Sequence, residues 1–173
     1  MTELRRPSLL DPARHDRSRF ASGDRALDEW LRRYAGQNRR RDTAATWVIA
    51  DAEHVVVAYA TIAMSAIDRS SAPASVARQA PDPIPAVLIG RLAVDRRRSG
   101  LGVGTALVAH VLATAVELNA KAACRAVVVN ALHASARGWW EHLGFGPFDP
   151  SDEASLDLYL LTADIHATLQ RMR

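Results

Sequence analysis

A chain of 173 residues with an apolar fraction of 49% suits one compact domain, residues 1–173, with a sizeable core, and this excludes a disordered polymer. Its 22 Lys and Arg against 19 Asp and Glu leave a net charge of only +3, so any strongly basic surface must come from clustering. One cysteine, Cys124, excludes an internal disulfide and a cysteine-rich zinc site, and no uninterrupted apolar stretch reaches the roughly 18 residues of a membrane span.

Met1-Thr2-Glu3-Leu4-Arg5-Arg6 has no apolar stretch behind its charges, so the sequence predicts no secretory signal, no membrane and a soluble, cytoplasmic protein. Residues 24–40 read as a helix. Asp24 can cap it, and Leu27, Trp30, Leu31 and Tyr34 recur at helical spacing. Arg25, Glu29, Arg32 and Arg33 occupy the opposite face, where Asp28 and Glu29 are expected in helix ion pairs rather than as a catalytic carboxylate pair. Arg32, Arg33, Arg39, Arg40 and Arg41 form one basic cluster, and Arg96, Arg97 and Arg98 a second. The planar guanidinium fork suits phosphates, although a solvated basic face is an equal reading from composition alone.

Residues 46–50 and 54–64 read as two strands joined at Asp51-Ala52-Glu53, a hairpin turn without the usual Asn-Gly. Residues 65–85 are less regular, and Pro81, Pro83 and Pro85 argue against a regular helix or a central strand there. Ala86–Val94 reads as a strand buried on both faces, with Gly90 hinting at a bulge or a close approach. A helix at about 104–118 carries the stripe Leu107, Val108, Val111, Leu112, Ala115 and Val116. A strand at 124–129, a helix at about 133–143, a strand at 156–161 and a short helical tail complete the chain. Strand, loop, helix and strand make a βαβ unit, so the class is α/β or α+β, with helices on a mixed sheet. Cys124 opens an apolar run and reads as a buried small residue rather than a catalytic thiol.

Between the central strand and the helix lies Arg97-Arg98-Ser99-Gly100-Leu101-Gly102-Val103-Gly104-Thr105. The first amides of a helix lack intrahelical acceptors, and the helix dipole adds positive charge at the same end. Glycines let the backbone come close to a phosphate, so this loop reads as an anion site, with a plain tight turn as the alternative. No lysine precedes Thr105, which argues against a Walker loop. The G-x-G-x-G spacing comes late in the chain, and the next strand ends in Asn130 rather than an acid, which argues against a dinucleotide fingerprint.

Leu92-Ala93-Val94-Asp95-(x)4-Gly100-Leu101-Gly102-Val103-Gly104-(x)2-Leu107 resembles motif A of the GNAT acetyltransferases, and Ala136-Arg137-Gly138-Trp139-Trp140-Glu141-His142-Leu143-Gly144-Phe145 resembles their motif B. The resemblance implies the GNAT fold, a central mixed and mostly antiparallel sheet flanked by helices. It implies acetyl-CoA as co-substrate and no metal. Leu92, Ala93 and Val94 would lie along the pantetheine arm and Arg97–Thr105 would bind the pyrophosphate. Ser99 stands where relatives often have Gln or Arg, a role left to Arg97 or Arg98.

Three further segments are similar to the acetyltransferase toxins of type II toxin–antitoxin modules. They are Phe20-(x)2-Gly23-(x)3-Leu27-Asp28-Glu29-Trp30-Leu31, followed by Ala35 and Asn38; Pro81-Asp82-Pro83-Ile84-Pro85; and Gly90-Arg91-Leu92-Ala93-Val94-Asp95. This narrower likeness implies acetylation of the amino group of an aminoacyl-tRNA, a homodimer and a ribbon–helix–helix antitoxin. Arg32, Arg33, Arg39, Arg40, Arg41 and Arg91 would then face tRNA. An N-acetyltransferase of a small amine or a protein, and a non-catalytic acetyl-CoA-binding module, are the alternatives.

Trp140 holds the motif-B position that in many relatives is the tyrosine that protonates the leaving thiolate. Three readings stay open: Trp140 stabilises the thiolate by hydrogen bonding, Tyr159 or His133 supplies the proton, or the site is catalytically feeble. Trp139 reads as core and His133 as a helix start. Asn130 binds cofactor or water, or merely ends its strand.

Overall fold

A computed structural model describes residues 3–173; Met1 and Thr2, with which the segment read against a secretory signal begins, lie outside the described residues. The elements in chain order are β1 (Ser8–Leu9), α1 (Arg25–Arg33), α2 (Ala35–Arg40), β2 (Ala45–Ala50), β3 (Val56–Ile67), α3 (Ala74–Ala77), β4 (Ile84–Val94), α4 (Val103–Lys121), β5 (Ala126–Asn130), α5 (Ala134–His142), β6 (Gly146–Pro147), β7 (Asp157–Leu161) and α6 (Ile165–Arg171). The strands follow the order β1-β2-β3-β4-β5-β7-β6. Two compact units are present. One runs to Ala63 and resumes over Gly90–Val111; the other comprises Met64–Ile89 and Leu112–Arg173.

In the first unit β1 pairs antiparallel with β2, and β2 with β3 in the register Ala45↔Ile62 to Ala50↔Val56, with an irregularity at Ile49/Ala50. The hairpin expected at Asp51 is present, and its turn is made by a side chain. Asp51 Oδ1 accepts from the amides of Glu53 (3.0 Å) and Val55 (2.9 Å), which supplies the turn signal that Asn-Gly usually gives. Phe20, Leu31, Ala35, Val48, Val56, Tyr59 and Ala93 form the core, with Leu10, Leu27 and Trp30 packed on it.

Asp24 caps α1 as expected, accepting from the amides of Ala26 (2.8 Å) and Leu27 (3.1 Å). The single helix expected over 24–40 is instead two, which meet at Tyr34 (φ −110°, ψ −24°). Beyond the break Ala35 and Gly36 are buried, and a Cβ on Gly36 would meet Pro12 Cγ at 3.3 Å, so the second helix follows a close backbone approach. Asp28 departs from expectation too. It is buried and accepts from Ser22 N (2.9 Å) and Ser22 Oγ (2.6 Å) instead of joining a helix ion pair. Glu29 does form its i,i+4 pair, with Arg33 at 3.1 Å.

In the second unit β5 runs parallel to β4, from Ala86↔Ala126 to Ile89↔Val129, as the βαβ reading requires. β7 pairs antiparallel with both β5 and β6. Ile67, Val76, Ala80, Ile84, Ala86, Ala126 and Val128 make the core here. Pro85 lies inside β4, contrary to the expectation for the proline segment. It is the strand's second residue, ahead of the ladder with β5 that begins at Ala86, and its carbonyl still accepts from Arg125 N (2.8 Å). Cys124 is buried with its thiol donating to the Ala126 carbonyl (3.3 Å), which is the packing role.

α4 is the one described helix long and apolar enough by length and composition to cross a membrane. Leu107, Val108, Val111, Leu112 and Ala115 of the predicted stripe are nevertheless fully buried, as in a core helix, and Val116 is half-buried. Burying each of the larger side chains contributes about 1.5–3 kcal/mol.

Candidate active site

The glycine loop is built from Asp95 onward. Asp95 directly follows β4 and caps a single 3-10 turn at Arg96–Arg98 by accepting from Arg97 N (3.0 Å). Its carboxylate, buried to 1% exposure, also takes two bonds from the Arg97 guanidinium (2.8 and 2.9 Å) and one from Ala21 N (3.1 Å). Burial alone would raise the Asp95 pKa. The bonds from the Arg97 side chain and from the Arg97 and Ala21 amides outweigh it and hold the carboxyl below the usual range. A depressed native pKa adds stability that is present above the unfolded value and lost as the pH falls through the native one. Asp95→Asn is therefore expected to lower stability at pH 7 by about 1–3 kcal/mol, and to make urea midpoints less sensitive to acid below about pH 4; paired urea titrations at pH 7 and pH 3.5 would show it.

After the turn the backbone enters the left-handed region twice, at Gly100 (φ +73°) and Gly102 (φ +77°). Side chains rarely adopt these angles, so the glycines are required by the path of the loop. α4 then begins at Val103, and Ala106 is the first residue whose amide finds a carbonyl, that of Gly102 at 3.0 Å. Among the described residues no acceptor faces the amides of Gly100, Leu101, Gly102, Val103, Gly104 or Thr105. Ser99, Gly100, Leu101 and Gly102 are exposed, and no atom lies within 4 Å of a Cβ built at Gly100 or Gly102. An open ring of unpaired N–H groups at a helix start has the chemistry to accept an anion.

The arginines around it divide by partner. Arg97 is committed to Asp95, whereas Arg98 is half-buried with no side-chain partner among the described residues. On the other cluster, Arg32 donates to the Phe20 carbonyl (2.8 Å) and Arg33 pairs with Glu29. Arg39, Arg40 and Arg41 are exposed with no ion pair among the described residues. Along β4, Leu92 and Val94 are half-buried and Ala93 is buried in the core. Arg91 lies over the Trp30 ring, 4.4 Å from its centroid.

The motif-B residues belong to the second unit. Trp140 is 5% exposed, and its ring meets Trp139 and Phe145 edge-on, each at 5.0 Å. Its indole N–H has no acceptor among the described residues and is not fully enclosed, in contrast to the Trp47 N–H. The ring is thus packed between aromatic neighbours, with an N–H that has no acceptor of its own. The other proton sources named from the sequence each have a hydrogen-bond partner. The Tyr159 hydroxyl shares a hydrogen bond with Ser75 Oγ (2.8 Å), and His133 caps α5 through Nδ1, accepting from Ala136 N (3.1 Å). Asn130, the last residue of β5, donates to Asp157 Oδ1 (2.7 Å) across the ladder.

Two features escaped sequence reasoning. Asp95 as the anchor of the loop could have been found from its place before an Arg-rich turn. The pairing of Trp30 with Arg91, sixty-one positions apart, leaves no local signal.

Comparison with known proteins accords with this geometry. Residues 10–145 match the acetyltransferase (GNAT) family. A curated relative, the tRNA-acetylating toxin of Mycobacterium tuberculosis (strain ATCC 25618 / H37Rv), is 35% identical over 156 residues, which cover 89% of this chain and 90% of the relative. Among solved structures, AtaT complexed with acetyl-methionyl-tRNAfMet superposes with a TM-score of 0.85 at 28% identity, covering 95% of this chain and 98% of that one. A tyrosine-to-phenylalanine mutant of AtaT, bound to the C-terminus of the antitoxin AtaR and acetyl-CoA, superposes at 0.80 with 26% identity, covering 95% and 97%. With both motifs in place and the family matched over most of its length, the chain belongs to the GNAT acetyltransferase family.

Proposed function

We propose that this protein transfers acetyl from acetyl-CoA to the amino group of an aminoacyl-tRNA, and that it blocks translation in the cytoplasm as the toxin of a type II toxin–antitoxin module. The observation that carries the acetyl-CoA reading is the ring of unpaired amides at Gly100–Thr105. Support for the acceptor comes from the relative named for acetylating tRNA and from the neighbour holding acetyl-methionyl-tRNA. The exposed, unpaired Arg39, Arg40 and Arg41 suit an RNA backbone. A ribbon–helix–helix antitoxin and a homodimer complete the proposal, the first in keeping with a neighbour bound to the antitoxin AtaR.

In this reading the loop amides and Arg98 hold the diphosphate, and the backbone of Leu92–Val94 lies along the pantetheine arm. The neutral amine attacks the thioester carbonyl, the C–N bond forms and the C–S bond breaks. The attacking nitrogen gives up one proton and the sulfur leaves as thiolate. An unperturbed α-amino group has a pKa of about 7.7–8.0, so a useful neutral fraction exists without a protein base. By its motif-B position Trp140 would be the residue that stabilises the leaving thiolate through its indole N–H, with solvent supplying the proton.

A hydrogen bond to a charged acceptor contributes about 1.5–3 kcal/mol. Trp140→Phe, which keeps an aromatic ring and removes the donor, is thus expected to lower kcat about tenfold or more while acetyl-CoA affinity changes less than twofold. Steady-state kinetics with calorimetry checks the split; an unchanged kcat removes the indole N–H from the mechanism.

The test of the function itself is incubation with labelled acetyl-CoA and charged tRNA. Label at the aminoacyl end is expected. Label on free small amines or proteins alone would replace the proposal with an ordinary N-acetyltransferase. No turnover with any acceptor, above a control with the loop glycines replaced, would leave a non-catalytic acetyl-CoA-binding module.

A further inference from the structure

Trp30, Tyr59 and Arg91 form a stack in the first unit. The Tyr59 and Trp30 rings are nearly parallel, at 12° with centroids 5.9 Å apart, and the Arg91 guanidinium carbon lies 4.4 Å from the Trp30 centroid. Tyr59 cannot turn, because it is fully buried and its hydroxyl donates to the Leu27 carbonyl (2.7 Å) on the same helix as Trp30. Helix, strand and guanidinium are thereby fixed together.

What distinguishes Arg91 is the state of its donors. Stacking on an aromatic face orients a guanidinium without neutralising it and leaves its N–H edge free. Among the described residues Arg91 has no hydrogen bond and no ion pair. Two carboxylates on or beside α1 are already taken: Asp28 by Ser22, and Asp24 by the amides of Ala26 and Leu27. Arg91 is half-buried, so its charge is partly desolvated and unpaired. Such a group gains most from an anion that brings acceptors to its edge.

Its position limits which anion. Arg91 directly precedes Leu92–Val94, and at about 3.3 Å per strand residue its Cα lies within about 10 Å of that segment. An anion on Arg91 is therefore close to the reacting amine. We propose that Arg91 grips a phosphate of the single-stranded acceptor end of the charged RNA, and that Trp30 and Tyr59 are the positioning residues that hold its fork for that contact. This rests on the aminoacyl-tRNA reading given above.

The experiment compares wild type with Arg91→Ala, Arg91→Lys, Trp30→Leu and Trp30→Phe. Each is assayed on full charged tRNA and on a short charged hairpin that keeps only the acceptor stem and its single-stranded end. Loss of one charge-assisted contact should raise the KM for both RNAs about tenfold or more in Arg91→Ala, with kcat and the acetyl-CoA KM within threefold. Arg91→Lys keeps the charge without the planar fork and should fall between. Trp30→Leu should follow Arg91→Ala, and Trp30→Phe, which restores an aromatic face, should recover most of the loss. Because Trp30→Leu also touches the core, its acetyl-CoA affinity and thermal midpoint are measured alongside, and Arg91→Ala alone decides the case if it unfolds. Wild-type turnover with an RNA KM unchanged in Arg91→Ala overturns the assignment. Wild type that fails to label charged tRNA overturns the underlying reading instead.

Discussion

Gly102→Glu is expected to weaken acetyl-CoA binding at least about a hundredfold, the value of some 2.7 kcal/mol or more. Nothing lies within 4 Å of a Cβ at this position, so the side chain would not be excluded by crowding. Its carboxylate would instead enter the concavity where the amides of Gly100–Thr105 lack acceptors and take the place of the diphosphate. The positive φ of +77° adds strain of about 1–2 kcal/mol that the substitution shares with Gly102→Ala. Comparing the two by isothermal calorimetry separates charge from strain. Alanine is expected to lose tenfold or less. Equal losses would show that the loop conformation, not an anion site, was damaged.

Charge reversal at Arg39, Arg40 and Arg41 together is expected to be the second large effect. All three are exposed, and none has an ion-pair partner among the described residues, so the triple substitution to Glu leaves no broken salt bridge behind. Surface substitutions of this kind change stability by only about 0.5 kcal/mol each. Binding to a polyanion is another matter. Each arginine that meets a phosphate contributes close to one unit of salt slope. Turning three such cations into carboxylates removes that attraction and adds repulsion, so tRNA affinity should fall about a hundredfold or more at low salt. The acetyl-CoA KM should stay within twofold. A filter-binding series over salt concentration reads both magnitude and slope; a variant whose slope matches wild type would remove this cluster from the RNA surface. Arg33→Glu is the useful contrast, since Glu29 already holds that side chain.

The legible parts of this chain were those written locally. Asp24 before a periodic apolar run announced a capped helix, and the alternating glycines announced a loop, which the structure shows entering positive φ at Gly100 and Gly102. The stripe Leu107, Val108, Val111, Leu112, Ala115 and Val116 announced a buried helix, and all of it is buried except the half-buried Val116. The misreadings came where distant residues intervene. Periodicity ran on through Tyr34, and nothing in it records that Gly36 must lie against Pro12. Asp28 carries the spacing of an ion pair, yet a hydroxyl six residues earlier holds it. Pro85 looked like a strand breaker because composition does not say where a ladder begins. The glycine loop and the motif-B pair of tryptophans were legible as motifs. The division of arginines into committed and uncommitted was not, because Arg97 and Arg98 are identical neighbours that differ only in whether Asp95 faces them.

The anchorage of Asp95 has a consequence for how this chain tolerates change. Its carboxylate bonds the Ala21 amide, the Arg96 amide bonds the Ala21 carbonyl, and the Arg96 side chain lies 3.5 Å from where a Cβ on Gly23 would stand. The footing of the glycine loop is thus laid partly by a stretch 74 residues upstream. Insertions or deletions around residues 20–23, far from the loop in the primary sequence, should behave like lesions of the loop itself, and a graft of that loop into another scaffold should carry this upstream stretch with it.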